Sequence, residues 1–334
     1  MSAQLSLWGN LTGGDLQLEI ERYGFAVIEH DIPTEAIDEL VSAHAAFTDN
    51  HPDPEADTMN AMIRDTSELD ALDFAADRQR EWHKYRTNAP HFAKPNGHTN
   101  RFLQAEVLRQ YGRKKLNSKT GEYEVVEEDP KEFFHYTPGY REDLAKRHEI
   151  YGWGPVPPEA MELARTMHVV HYMVKRALTP VFAKLEATHP KLREVITPED
   201  LDISPLRSLR YHQGQGEVLG GGHHDRGIFT MQVADSHRGL RVRDPSTHKM
   251  TLVETPPNAS PVFPADKWRT AHPDSPLRSL WHDVVNDPTA CEGRPLYGNN
   301  IARYAIILFV NSRKIGDRAD KIATHTEVQE NLVA

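Results

Sequence analysis

From residue 203 onward the chain changes character, and that change restricts its fold more than any other feature. Seven short segments rich in Val, Ile, Phe, Thr and Leu (206–211, 227–233, 239–243, 250–254, 260–263, 278–285 and 302–311) alternate with turns rich in Gly, Pro, Asp and Asn. Segments this short read as strands, and such a rhythm predicts a β-sandwich or jelly roll. The first half reads differently. Residues 15–22 and 34–48 have helical spacing and flank a short strand at Gly24–Ile28. In the second helix Ile37, Leu40, Val41 and His44 form one inward face, with Thr34 placed as its N-cap after Pro33. The longest helical pattern runs from Pro158 to about Thr188, with Pro180 expected to kink or interrupt it. Residues 88–100 read as a loop and 112–129 as a charged hairpin, while 50–80 carry no assignable chemistry. The expected architecture is α+β, a helix-rich first half wrapped on an all-β second half.

Within the β-rich half, Gly220-Gly221-Gly222-His223-His224-Asp225 precedes the strand pattern 227–233. Side chains two apart in an extended segment point the same way, so His223 and Asp225 can chelate one ion while His224 faces away. His282, about four strands later in Leu280-Trp281-His282-Asp283-Val284-Val285, can return as a third ligand. Two imidazoles and one carboxylate on one face of a divalent metal are the ligand set of a non-haem Fe(II) site that activates oxygen. Arg303, in Ala302-Arg303-Tyr304-Ala305, can anchor an acidic co-substrate from a rigid strand. The spacing also fits a hydrogen-bonded core pair at His223 and Asp225, with His282 an ordinary strand-end histidine. His-x-Asp recurs at His51-Asp53 and His272-Asp274, where Pro-rich or turn sequence fixes no geometry. His168 and His171, at i and i+3 on the long helix, form a weaker pair because no second carboxylate-bearing helix accompanies them.

Composition excludes several classes. One cysteine, Cys291, permits neither an internal disulfide nor a thiolate cluster. A net charge of −10 argues against bulk nucleic-acid binding, which needs an excess of Lys and Arg. No stretch approaches the ~20 apolar residues of a membrane span, and no secretory signal is visible, so a cytoplasmic location is expected.

The stretch from Arg207 to Phe309 resembles the catalytic core of the 2-oxoglutarate/Fe(II)-dependent oxygenases, in the isopenicillin N synthase-like branch. Leu206-Arg207-Ser208-Leu209-Arg210-Tyr211 resembles the strand before the metal motif. His223-His224-Asp225-Arg226-Gly227-Ile228-Phe229-Thr230 resembles the family's His-x-Asp-x-Gly-x-x-Thr. Gly239-Leu240-Arg241-Val242 is similar to its Gly-Leu-Gln-Val segment, and Phe263-Pro264-Ala265-Asp266 to its Phe-x-Gly-Asp turn. Earlier in the chain, Tyr23–Pro33 and Asp129–His135 also match that branch. The resemblance implies a double-stranded β-helix (jelly-roll, cupin-like) core flanked by helices. It implies one oxygenase domain over 1–334, made of a helix-rich N-terminal region over 1–200, a jelly-roll core over 203–312 and a tail over 313–334. It further implies His223, Asp225 and His282 as Fe(II) ligands, Arg303 as the partner of the distal carboxylate of 2-oxoglutarate, and Tyr211 as a hydrogen-bonding neighbour of that group. The implied reaction uses O2 to hydroxylate, desaturate or cyclise a small molecule, releasing succinate and CO2. Two features depart from the family. Ala305 stands where a serine is usual, and an extra loop between Asn286 and Asn300 carries Arg294, a rival carboxylate anchor. An oxidase of the same fold that does not use 2-oxoglutarate, a non-catalytic jelly-roll binding protein and a zinc hydrolase are the competing expectations. Phe133, His135, Tyr136 and Arg241 are candidate pocket residues and select no substrate class.

Overall fold

Alternation of apolar side chains along each strand builds two antiparallel sheets, one of which carries helices on its outer face. The computed structural model describes residues 13–50, 97–100, 113–116, 123–126, 131–137, 158–212, 217–291, 302–312 and 314. The strands are β1 (Ala26–Glu29), β2 (Gly97–Asn100), β3 (Arg113–Leu116), β4 (Tyr123–Val126), β5 (Lys131–Tyr136), β6 (Leu206–His212), β7 (Val218–His223), β8 (Phe229–Asp235), β9 (Leu240–Arg243), β10 (Met250–Leu252), β11 (Ala259–Pro264), β12 (His282–Val285) and β13 (Ala302–Val310). One sheet has the order β1-β11-β8-β13-β6-β5-β2 and the other β10-β9-β12-β7, while β3 and β4 pair alone as the expected hairpin. From β6 to β13 the chain crosses repeatedly between the two larger sheets, which are not closed into a barrel.

Along β13, Tyr304, Ile306, Leu308 and Val310 enter the core formed with the helices. Their neighbours Arg303 and Ala305 are buried on the opposite face, and Ala305 packs with residues of both sheets. The helices that cover the outer face are α1 (Gly13–Tyr23), α2 (Thr34–Asn50) and α3 (Pro158–Thr188). Short helices follow at α4 (Leu192–Val195) and α5 (Asp266–Ala271). The predicted inward face of α2 is buried throughout, at Ile37, Leu40, Val41 and His44. Each such apolar side chain contributes about 1.5–3 kcal/mol on burial. The α2 hydrogen bonding starts from the Pro33 carbonyl, one residue earlier than a Thr34 cap would give. Pro180 does not interrupt α3, which runs unbroken through it.

Between the sheets lie two smaller apolar clusters. Phe133, Leu209, Tyr211, Leu219, Val284 and Ala305 form one, and Phe25, Val27, Leu240, Val242, Val253, Ala259, Phe263 and Leu280 form the other. Two segments differ from expectation. The glycine run 220–222 belongs to strand β7 rather than to a turn, and Gly97–Asn100 is a strand within the segment read as a loop. Glycine carries no strand propensity, so its place here is set by space. A Cβ on Gly222 would come within 2.8 Å of the Trp281 indole. Residues 51–96, including His51 and Asp53, lie outside the described residues. Among the described residues no helix is long and apolar enough to cross a membrane.

Candidate metal centre

Strand pairing brings the two candidate imidazoles together. His223 ends β7, His282 begins β12, and the two are register partners in the small sheet. Their ring centroids are 4.5 Å apart. Asp225 stands in the short connection from β7 to β8, so the shared direction of His223 and Asp225 arises at the end of β7 rather than the start of β8. Three backbone hydrogen bonds from the turn after β11 fix that connection: Ala265 N to Ile228 O, Asp266 N to Asp225 O and Lys267 N to Gly227 O. The Phe-Pro-Ala-Asp turn thereby braces the carboxylate's own backbone.

The side chains are oriented by further bonds. The carbonyl of Gly221 can only accept, so His223 Nδ1 donates to it at 2.7 Å, and His282 Nδ1 donates to Leu280 O at 3.3 Å. Both Nε2 atoms are then left with lone pairs, which metal binding requires. His223 Nε2 lies 3.4 Å from one Asp225 oxygen, and His282 Nε2 lies 3.8 Å from the other. The Thr230 hydroxyl donates to Asp225 Oδ2 at 2.7 Å. Burial works to raise the Asp225 pKa, but the two imidazoles and the Thr230 hydroxyl outweigh it and hold the carboxyl below its usual range. Burial lowers the pKa of His282 and favours its neutral form. Asp225 raises that of His223 by favouring a proton on Nε2, which a bound metal would displace to take the lone pair.

One ligand atom from each of the three residues lies within 4.8 Å of the other two. Metal–ligand bonds of ~2.0–2.2 Å put neighbouring ligands on one face of an ion about 3 Å apart, against the 3.4 and 3.8 Å that separate the two Nε2 atoms from the Asp225 oxygens. Two neutral imidazoles and an ionised carboxylate are the donors a divalent first-row metal takes. The residues therefore fit the ion. Asp225 and His282 are buried, while the His223 side chain is 45 % exposed, so the centre faces solvent on one side.

The remaining histidines have other roles. His224 turns away as expected, its ring 5.2 Å from Trp281. His168 bonds the Tyr136 hydroxyl, and His171 bonds Ser204 O. Those two partners give the pair on α3 other contacts, and among the described residues it joins no group of three potential metal ligands. His272 packs against Trp268.

Arg303 and Tyr211 are register partners on β13 and β6, with the guanidinium carbon 5.5 Å from the Tyr211 ring centre. Arg303 is fully buried. Its Nε donates to His237 O at 3.1 Å, one terminal nitrogen donates to Asp235, and the other, Nη1, has no hydrogen-bond partner. Asp235 is also held by Gln232, whose amide reaches both of its oxygens. A Cβ on Gly239, whose φ is +150°, would lie 3.1 Å from Arg303 Nε and 2.5 Å from Val285 O. Only glycine suits that approach. Arg294 lies outside the described residues.

Of the pocket candidates, Phe133 faces the space between the sheets. Tyr136 instead joins the helix-facing core, and Arg241 pairs with Asp283 through two hydrogen bonds. The side chain of His135 lies outside the described residues. Sequence reasoning missed Thr230 and Asp235 as supports of the ligands and anchor. Thr230 was visible as the last residue of the His-x-Asp-x-Gly-x-x-Thr match.

No protein-family model and no curated protein matches the chain by sequence. Solved structures do match. A candidate oxygenase from Shewanella oneidensis is similar over 98% of this chain and 100% of its own, at 15% identity and a TM-score of 0.58. A full-length Neurospora crassa protein, solved in complex with alpha-KG, is similar over 90% of this chain and 79% of its own, at 16% identity and a TM-score of 0.54. A dioxygenase for auxin oxidation from rice is similar over 90% of this chain and 77% of its own, at 16% identity and a TM-score of 0.50. These likenesses show a fold shared with oxygenases, as the sequence motifs implied.

Proposed function

We propose that the chain is a 2-oxoglutarate/Fe(II)-dependent oxygenase of the isopenicillin N synthase-like branch, acting on a small molecule. The single observation that carries this reading is the convergence of His223, Asp225 and His282 on one point, with both imidazole lone pairs directed inward. The passage of β6–β13 between two sheets supports a double-stranded β-helix, with 1–334 as one domain. Solved structures of similar fold support the class, including complexes of the Neurospora crassa protein with thymine and with 5-formyluracil.

His223 Nε2, an Asp225 oxygen and His282 Nε2 would hold the iron, and Thr230 would keep the carboxylate turned toward it. Iron held there supplies oxygen activation coupled to decarboxylation of 2-oxoglutarate, with succinate and CO2 as products. Arg303 would receive the distal carboxylate. β12 carries His282 at one end and Val285 at the other, a run of about 10 Å, and Val285 packs on Gly239 beside Arg303. A five-carbon diacid can bridge that span. Asp235, Gln232 and the His237 carbonyl fix the guanidinium beforehand, so no ordering is required when the carboxylate arrives. The unpartnered Nη1 is the donor available to it. Leu219, Val284 and Ala305 exclude water from the space between. The oxidase without 2-oxoglutarate is favoured by one observation, the buried methyl of Ala305 where a hydroxyl is usual.

Anaerobic titration of the Fe(II)-loaded protein with 2-oxoglutarate tests the proposal. A visible charge-transfer band is expected, followed by succinate release on admission of oxygen. Oxygen uptake without succinate selects the oxidase. Absence of any band leaves a metal- or ligand-binding protein.

A further inference from the structure

We infer that His237 is a second anchor for the distal carboxylate of 2-oxoglutarate, sharing that group with Arg303. The inference rests on the oxygenase reading for the identity of the ligand, and on separate observations for the donor. Ala305 on β13 is the register partner of Asp235 at the end of β8. The pairing persists one step further, since Ser236 N donates to Tyr304 O at 3.0 Å. The next pair in that register is His237 with Arg303, and residues opposite each other on antiparallel strands present their side chains to the same face. The His237 carbonyl accepts from Arg303 Nε at 3.1 Å, which ties the two residues together. On its other side His237 bridges Ala290, while Arg238 N donates to Thr289 O and Cys291 N to Ser236 O. The ring is thereby enclosed, and His237 is fully buried.

Hydrogen bonding fixes which ring nitrogen carries the proton. Ser236 Oγ accepts the Tyr304 N–H at 2.8 Å, so its own proton goes to His237 Nδ1, 2.9 Å away. Burial, and then the Arg303 charge, lower the His237 pKa and keep the ring neutral. A neutral imidazole that accepts at Nδ1 donates at Nε2. Among the described residues that Nε2 has no hydrogen-bond partner, and neither has Arg303 Nη1. Leaving a buried N–H unpaired is unfavourable, so two unmatched donors on facing residues suit one acceptor group with two oxygens. A carboxylate is such a group, with one oxygen for each donor. Ala305, the next residue on the Arg303 face, offers only a methyl. The imidazole adds a directed hydrogen bond without adding charge, which leaves the ion pairing to Arg303.

The experiment uses the full chain loaded with Mn(II). Calorimetric titration compares 2-oxoglutarate with 2-oxopentanoate, which has a methyl in place of the distal carboxylate. His237→Phe keeps a ring and removes the donor. Its affinity for 2-oxoglutarate is expected to fall about tenfold or more, while Mn(II) and 2-oxopentanoate change less than twofold. His237→Gln keeps an N–H near the Nε2 position and should lose less than threefold. A second measurement uses the parent protein, with isotope-labelled histidine and Zn(II) in place of Mn(II). In its magnetic resonance spectrum an imidazole Nε2–H signal should move downfield when 2-oxoglutarate binds. The proposal is overturned if His237→Phe keeps its affinity for 2-oxoglutarate, or if both oxo acids weaken equally, which is the mark of a structural role. It is also overturned if His237→Gln loses as much as His237→Phe, or if no Nε2–H signal responds. Should 2-oxoglutarate fail to bind the parent protein, the oxygenase reading fails and this inference with it. Any of the other failures leaves that reading intact.

Discussion

At the scale of single residues, the centre depends on one carboxylate and its supports. Asp225→Ala removes the only charged ligand and leaves two imidazoles and the Thr230 hydroxyl facing an empty space. Binding of Mn(II), followed by calorimetry, is expected to disappear. Full affinity in that variant would dismiss the site. Thr230→Val keeps the shape but not the hydroxyl that orients Asp225, and should weaken Mn(II) about 10–100-fold. Arg303→Lys retains a cation inside the sheets while losing the planar fork. Its affinity for 2-oxoglutarate should fall at least tenfold at unchanged Mn(II) affinity. An unchanged co-substrate affinity would move the anchor to another group, with Arg294 the first to examine. The three ligands were legible in the sequence because a two-residue spacing at a strand end forces two side chains to one side. Asp235 and Gln232 were not. Each occupies an ordinary strand position, and what it touches depends on which strand lies alongside. That neighbour is fixed by long-range pairing, which a local pattern does not encode.

At the scale of elements, α3 and β7 show where local rules held and where space overruled them. The apolar spacing of α3 is reproduced in the burial of Leu163, Met167, Val170, Val174 and Leu178. Tertiary contacts with α1 and α2 carry the helix past Pro180, which lacks an N–H for the i−4 carbonyl. Pro180 is exposed, so its replacement leaves no cavity. Pro180→Ala should restore the helical bond and stabilise the protein by up to about 3 kcal/mol, read as a higher urea midpoint at the same slope. A lower midpoint would mean that the neighbours of α3 are built around the proline. β7 is the opposite case. Three successive glycines read locally as a turn, yet none of them has a positive φ. Trp281, adjacent to the ligand His282, occupies the space that a side chain on Gly222 would need. Gly222 is thus a packing requirement imposed by a side chain more than fifty residues away, and propensity alone could not reveal it.

At the scale of the whole molecule, pH sets two effects against each other. The sequence pI is about 6.0, so acidification from pH 7.5 toward 6 removes net negative charge and its self-repulsion. That effect alone makes the protein more stable as pH falls. Buried histidines oppose it. His171, His237 and His282 all have pKa values lowered chiefly by burial, from an ordinary value of 6.5. For each, the unfolded chain takes up a proton before the folded one does. Their stabilisation is therefore present above pH 6.5 and is lost as pH falls below that value toward their folded values. His223 has the opposite sign, since its bond to Asp225 raises its pKa. Its contribution is complete below pH 6.5 and is lost as pH rises through the raised value. Asp225, held below the usual carboxylate range, loses its contribution only at much lower pH. His189, His224 and His272, whose pKa values burial also lowers, add to those three, so six groups against one should make the histidines prevail, giving a lower melting temperature at pH 5.5 than at pH 7.5 in calorimetry. Added Mn(II) should steepen the difference, because the metal needs His223 and His282 free of protons and acid returns them. A higher melting temperature at pH 5.5, reversed by salt, would instead assign the pH response to surface charge.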